Sequence, residues 1–229
     1  MKPRSIASLS FLYTRFLYTR PIMKKSTLVL VLVATLALAF GAYFYQLKQA
    51  PEPLAPLNTA LRYPEPRSID PFVLNVDGNP TLRESDLTGH YTLLFFGFTK
   101  CPDVCPLTLS TLAQAYAQWP TELAIGKPEV IFVSVDPERD SLQASREYVE
   151  FFNPDFRAAT GSLAELEAFT RQLGVVFMKQ PTEETASAYT IDHSASLLLV
   201  NPKGELIALI RPPFETRPLR DDLLALVGS

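Results

Sequence analysis

The sequence predicts an α/β domain, a mixed β-sheet with helices on both faces, behind an N-terminal helix long enough to span a membrane. Three observations lead there. Residues 91–98, YTLLFFGF, are a nearly continuous apolar run of strand length, as a strand buried on both faces requires. Leu109, Leu112, Ala113 and Tyr116 then recur at helical spacing, and VIFVSV at 130–135 supplies a second buried strand reached by a crossover. Residues 26–47 are 22 positions without a charge, enough to cross a bilayer.

In chain order, residues 1–25 form a basic segment with six Lys or Arg and no acidic residue. A direct repeat, FLYTR-FLYTR at 11–20, precedes Met23 and reads as translated upstream sequence, which makes Met23 an alternative start. A basic flank before the apolar span 26–47 places the N-terminus in the cytoplasm and sends the rest across the membrane. The expectation is a single-pass anchor in the inner membrane with the domain facing the periplasm. A cleavable signal is the rival, because Ala37-Leu38-Ala39 resembles a cleavage site. It lies inside an apolar run longer than a usual signal core, which favours the anchor.

Residues 48–66 are rich in proline (Pro51, Pro53, Pro56, Pro64, Pro66) and are expected to be an extended linker. The domain then occupies 67–229. Its first hairpin turns at Asp77-Gly78-Asn79-Pro80, and the central strand 91–98 follows. A helix after Pro106 ends near Trp119-Pro120. Asp140 with Gln143 resembles a capping box opening a helix through Phe152, and Ser162 with Glu165 opens another ending at Gly174. Residues 179–188 are polar and acidic and read as a mobile loop. Runs at 196–200 and 205–210 flank Asn201-Pro202-Lys203-Gly204 as a second hairpin, before a last helix from about Arg217.

Composition excludes several classes. Residues 51–229 carry 14 basic and 24 acidic side chains, a balance that disfavours nucleic acid. None of the nine glycines are spaced as GxG and no P-loop occurs, so a nucleotide site has no support.

Both cysteines, Cys101 and Cys105, fall in the turn between the central strand and the following helix. Free amides and the dipole of a helix's first turn favour the thiolate, the form that reacts and binds metals. A helical i, i+4 pair has Cβ atoms about 5 to 6 Å apart, and a disulfide needs about 3.5 to 4.5 Å. The pair is therefore able to close or stay open. A purely structural disulfide is the bland reading, but so short a loop constrains the unfolded chain little. Redox chemistry and two-thiolate metal binding both fit the spacing.

The two histidines control for each other. His90 precedes the central strand, roughly 30 Å from the cysteines at about 3.3 Å per residue, and reads as surface. His193, in IDHSAS, precedes a later strand and is expected beside the thiols.

The motifs GFTKCPDVCP, VDPERD and DHSASLLLVNPKGE together resemble the Sco/SenC family, thioredoxin-like copper chaperones for the Cu(A) site of cytochrome c oxidase. The resemblance implies a thioredoxin-like fold, with the histidine loop where thioredoxins keep a cis-proline. It also implies that Cys101, Cys105 and His193 are the copper ligands. Soft thiolates suit Cu(I) and an added imidazole accommodates Cu(II); zinc accepts the same donors, and the resemblance decides for copper. Asp103, Asp136 and Asp140 lie in the motif loops as caps or turn formers, capping being the preferred reading for Asp140. Asp192 is a candidate to orient the imidazole from outside the ligand set.

Two functions follow from the resemblance. One is a membrane-anchored chaperone, not an enzyme, that delivers copper to the oxidase's Cu(A)-bearing subunit. The other is an oxidoreductase whose redox-active pair Cys101–Cys105 reduces that subunit's copper-site cysteines. Other copper carriers or thiol reductants are implied as further partners. A peroxidase fits poorly.

Overall fold

The computed structural model describes residues 24–48, 56–120, 126–181 and 189–228. The segment 1–23, with the repeat and Met23, lies outside the described residues. The chain divides into two compact units, Met1–Pro53 and Leu54–Ser229. In the first, α1 (Lys25–Lys48) contains a stretch, Lys25–Tyr45, long and apolar enough to cross a membrane, with its side chains unburied. It is the N-terminal apolar helix the sequence predicts.

The second unit is built on an eight-stranded mixed sheet. Its strands are β1 (Ala60–Ser68), β2 (Val73–Val76), β3 (Asn79–Arg83), β4 (Thr92–Gly97), β5 (Glu129–Ser134), β6 (Arg157–Thr160), β9 (Leu197–Val200) and β10 (Glu205–Ile210). The order is β1-β10-β9-β4-β5-β6-β2-β3. Only β4–β5 and β5–β6 pair in parallel, and both connections carry a helix: α2 (Val104–Ala117) and α3 (Leu142–Glu150). Two further helices, α4 (Leu163–Leu173) and α5 (Thr216–Val227), complete the layers. A separate two-stranded ribbon pairs β7 (Phe177–Pro181) with β8 (Tyr189–His193).

β4 is central because its four large side chains, Leu93 to Phe96, all have somewhere apolar to go. Leu94 and Phe96 join a core with Phe169 and Leu166 of α4, and Leu93 and Phe95 join another with Leu109 and Leu112 of α2 and Leu223 of α5. All six β4 residues are buried, and apolar surface removed from water stabilises at roughly 25 cal/mol per Å². Alternation of side chains across a strand feeds the two cores at once.

Several elements differ from the sequence reading. Of the expected linker 48–66, residues 49–55 lie outside the described residues, and Ala60–Ser68 is an edge strand antiparallel to β10. Its prolines fit there: the register breaks between Arg62 and Arg67, so Pro64 and Pro66 sit where no ladder hydrogen bond is demanded. The start of β1 is held by the buried carboxylate of Asp222 on α5. That carboxylate accepts from the backbone amides of Asn58, Thr59 and Ala60 and from the side chains of Asn58 and Thr59, at 2.7 to 3.1 Å.

β6, with the sequence RAAT, is too short and weakly apolar to announce itself. Of the expected loop 179–188, Lys179–Pro181 belongs to β7 and 182–188 lies outside the described residues. Asp140 is not the cap of α3: Ser141 is, its hydroxyl accepting from Ala144 N at 3.1 Å. Serine one residue later caps equally well, and Asp140 is then free for a buried role. The Ser162–Glu165 capping box, the left-handed Gly174 and the hairpin at 201–204 are as expected.

Candidate metal centre

The site lies at the carboxyl end of the parallel strands, where β4 gives way to α2. Cys101 is in the turn after β4 and Cys105 is already in the first turn of α2, one step further into the helix than the sequence suggests. The prospective cap, Asp103, makes no side-chain hydrogen bond. Instead Cys101 Sγ accepts the free amide of Cys105 at 3.4 Å, so a sulfur takes part of the capping role. The two sulfurs are not bonded to each other in this structure.

His193 arrives from elsewhere. It is the last residue of β8, paired with Phe177 of β7, so the ribbon and not the main sheet delivers the imidazole. Its Nε2 lies 3.3 Å from Cys105 Sγ, and the donor atoms of Cys101, Cys105 and His193 fall within 4.8 Å of one another. Metal bonds of about 2.0 Å to nitrogen and about 2.3 Å to sulfur place such donors about 3.5 to 4 Å apart, so the trio fits one thiophilic ion. Cys105 is fully buried while Cys101 and His193 are partly exposed, which leaves an open side.

The two thiols are unequal. The Cys101 thiol is lowered to about 4, chiefly because Cys105 donates a hydrogen bond to its thiolate. Burial opposes this, and His193 and the amides of Asp103 and Cys105 add to it. Cys105 is pushed up, first by serving as that donor, then by burial and by the neighbouring thiolate charge. Of the two, Cys101 is the sulfur favoured as thiolate and Cys105 the one favoured as thiol.

Packing makes room for this arrangement. A Cβ on Gly97 would sit 2.8 Å from Cys105 Sγ and 2.8 Å from a Phe132 ring carbon, so only glycine lets the buried sulfur lie against the end of β4. The His193 ring is held between aromatic edges. Phe98 stands at 88° with centroids 5.9 Å apart, and Phe95 at 65° and 6.4 Å. Nδ1 is buried and has no hydrogen-bond partner among the described residues.

Asp192 does not supply that partner. It faces Met178 across the ribbon and is exposed, because neighbours along a strand point to opposite faces. His90 is at the other end of the sheet, 2.9 Å from Glu129, as expected of a surface residue.

The loop after β5 contributes more than the sequence suggested. Asp140, buried, accepts from Thr99 N at 2.7 Å, Thr99 Oγ1 at 2.5 Å and Ser134 Oγ at 2.7 Å, which fixes the turn just before Cys101. Asp136, also buried, accepts from Arg139 Nε at 2.5 Å and from the Tyr189 hydroxyl at 2.8 Å. That hydroxyl is pushed up to about 12 by burial and by the carboxylate it donates to, and it stays a donor at neutral pH. The hydroxyl of Tyr148 on α3 is buried without a partner among the described residues, and burial and the nearby cysteines raise its pKa. Thr99, Arg139, Tyr148 and Tyr189 carried no signal in sequence beyond lying in or near the motif loops.

The profile of the SCO1/SenC family matches residues 62–228, nearly all of the second unit. The chain belongs to the SCO1/SenC family. A Stutzerimonas stutzeri protein named for copper binding is 32% identical over 193 residues, 84% of this chain and 89% of that protein. The mitochondrial SCO1 homolog 1 of Arabidopsis thaliana is 37% identical over 154 residues, 67% of this chain but only 45% of that protein. Among solved structures, Arabidopsis ScoI with copper bound is 35% identical with a TM-score of 0.62, over 69% of this chain and 96% of that one. Apo Sco1 of Thermus thermophilus is also 35% identical, with a TM-score of 0.65 over 74% and 96%. The thioredoxin-like fold of the SCO1/SenC family is thus the fold of this chain.

Proposed function

We propose that this SCO1/SenC protein is a membrane-anchored copper chaperone that takes copper on Cys101, Cys105 and His193 and delivers it to the Cu(A)-bearing subunit of cytochrome c oxidase. The observation that carries this reading is the convergence of two sulfurs and one imidazole nitrogen within 4.8 Å on an open rim. Two soft thiolates hold Cu(I), the imidazole extends the set to Cu(II), and the open side allows ligand exchange with an incoming site. Copper-bound relatives with the same fold support the choice of metal. Helix α1 serves as the anchor and the domain works on the periplasmic side. The test is copper titration of the reduced full-length chain in detergent against a competing chelator. Cys101→Ala and Cys105→Ala are expected to lose both oxidation states and His193→Ala to lose Cu(II) first, while His90→Ala behaves as wild type. Unimpaired Cu(II) binding by His193→Ala removes His193 from the site.

The inequality of the two thiols favours a second activity at the same atoms. The Cys101 thiolate attacks one sulfur of the oxidase subunit's disulfide, and the other sulfur leaves as a thiolate. Cys105, giving up its proton, then attacks Cys101 Sγ in the mixed disulfide. The target leaves as a dithiol, and Cys101–Cys105 is left oxidised for an external thiol reductant to restore. A Cys105→Ser chain should trap the mixed disulfide with an oxidised Cu(A)-site peptide. Absence of the trapped species rules this activity out.

A further inference from the structure

The ribbon β7/β8 that carries His193 is a sheet of its own, with no ladder to the main sheet among the described residues. Apart from the contact of His193 Nε2 with Cys105 Sγ, the hydrogen bonds from β8 to the domain outside the ribbon converge, among the described residues, on one five-residue loop, Asp136 to Asp140. Arg139 Nη1 donates to Tyr189 O at 2.8 Å, and the Tyr189 hydroxyl donates to Asp136 Oδ1. The Arg139 guanidinium lies over the Tyr189 ring at 3.7 Å and over the Phe98 ring at 5.7 Å, and Phe98 is the ring whose edge confines His193. Lys179 of β7 adds an exposed pair with Glu138. The far end of the same loop, through Asp140 and Thr99, holds the turn that presents Cys101.

We propose that loop 136–140 is a brace between the two halves of the metal centre, with Arg139 and Tyr189 as positioning residues that set the imidazole against the cysteine pair. This rests on the copper-site reading above. None of the brace contacts is to Cys101, Cys105 or His193 themselves, and its effect is geometric. Arginine suits the role because its planar fork reaches the Asp136 carboxylate and the Tyr189 carbonyl together while stacking on two rings; lysine does none of this as a unit. A state that needs all three ligands, Cu(II), should feel the brace. A state held by two thiolates, Cu(I), should not.

The experiment uses the full-length chain in detergent, reduced, with Tyr189→Phe and Arg139→Lys beside wild type. Cu(II) is titrated by its thiolate charge-transfer band and Cu(I) by competition with a chromophoric chelator. Both variants should bind Cu(II) at least ten-fold more weakly with a shifted band, and Cu(I) within two-fold of wild type. Amide hydrogen exchange of the metal-free protein should quicken at residues 190–193 and stay unchanged in β4. Equal weakening of both copper states, or no change in either, overturns the brace, and Tyr189→Phe decides alone if Arg139→Lys fails to fold. Should wild type bind no Cu(II), the copper reading itself falls, and unchanged exchange at 190–193 in the variants then overturns the brace separately.

Discussion

Phe98 stands edge-on to His193 at 88°, and this ring contact, with a second from Phe95, orients the imidazole as a hydrogen bond to its other nitrogen would in the proposed copper site. Orientation by packing leaves Nδ1 buried and uncommitted. It also makes the imidazole sensitive to changes in ring shape that leave the proposed donor set untouched.

Phe98→Leu tests that dependence. Replacing one buried hydrophobe with another is expected to cost about 1 to 2 kcal/mol of stability. Cu(II) affinity should fall several-fold, with Cu(I) affinity retained, as read by thermal melting and the paired copper titrations.

The thiol inequality predicts a pH profile. Because the Cys101 thiol is lowered to about 4, its thiolate is present throughout the range above that value and is lost as pH falls towards it. Iodoacetamide should therefore modify Cys101 at a rate nearly flat from pH 8 to about 6, whereas an ordinary thiol near 8.5 slows about ten-fold per pH unit there. Peptide mapping should find Cys105 unmodified in the folded chain.

Gly97→Ala brings a methyl group to 2.8 Å from both Cys105 Sγ and Phe132, neither of which is a flexible tip. Overpacking of this kind costs about 1 to 3 kcal/mol. The variant is expected to melt lower and to bind both copper states at least ten-fold more weakly, because the buried sulfur is the atom displaced.

Asp222 predicts a stability effect far from the proposed copper site. Burial raises its carboxyl pKa, but donors from Asn58, Thr59 and Ala60 outweigh that and hold it below the usual carboxylate range. A depressed pKa adds stability above the unfolded value of about 3.9, and that stability is lost as pH falls through the folded value. Asp222→Ala should cost about 2 to 4 kcal/mol at pH 7 by urea unfolding, a gap that narrows below about pH 4. Copper binding by the folded variant should be unchanged.

The parts of this molecule legible in the sequence are those with strong local grammar. The β4 run, the Ser162 capping box and the turn at Asn201 to Gly204 each carry their cause within a few residues, and all are found. Cys101, Cys105 and His193 were expected together from motif resemblance, and the fold brings them together. What stayed hidden is what depends on distant partners. Asp140 reads as a helix cap until Thr99, 41 positions earlier, appears beside it. Tyr189 follows directly on a stretch whose polar composition suggests a loop, and it belongs to a strand only through pairing across the ribbon, with its hydroxyl on Asp136. Asp192 failed for the opposite reason, since adjacency in sequence put it on the wrong face.

The broken register of β1 bears on how these chains behave in a crowd. A sheet edge is a template for pairing with any free strand, and β1 is an edge that lies largely exposed. Pro64 and Pro66 deprive that template of two donors and interrupt its ladder midway, so a second molecule finds no continuous run on which to dock. The kink that looks like a linker in the sequence thereby protects the domain against edge-to-edge aggregation.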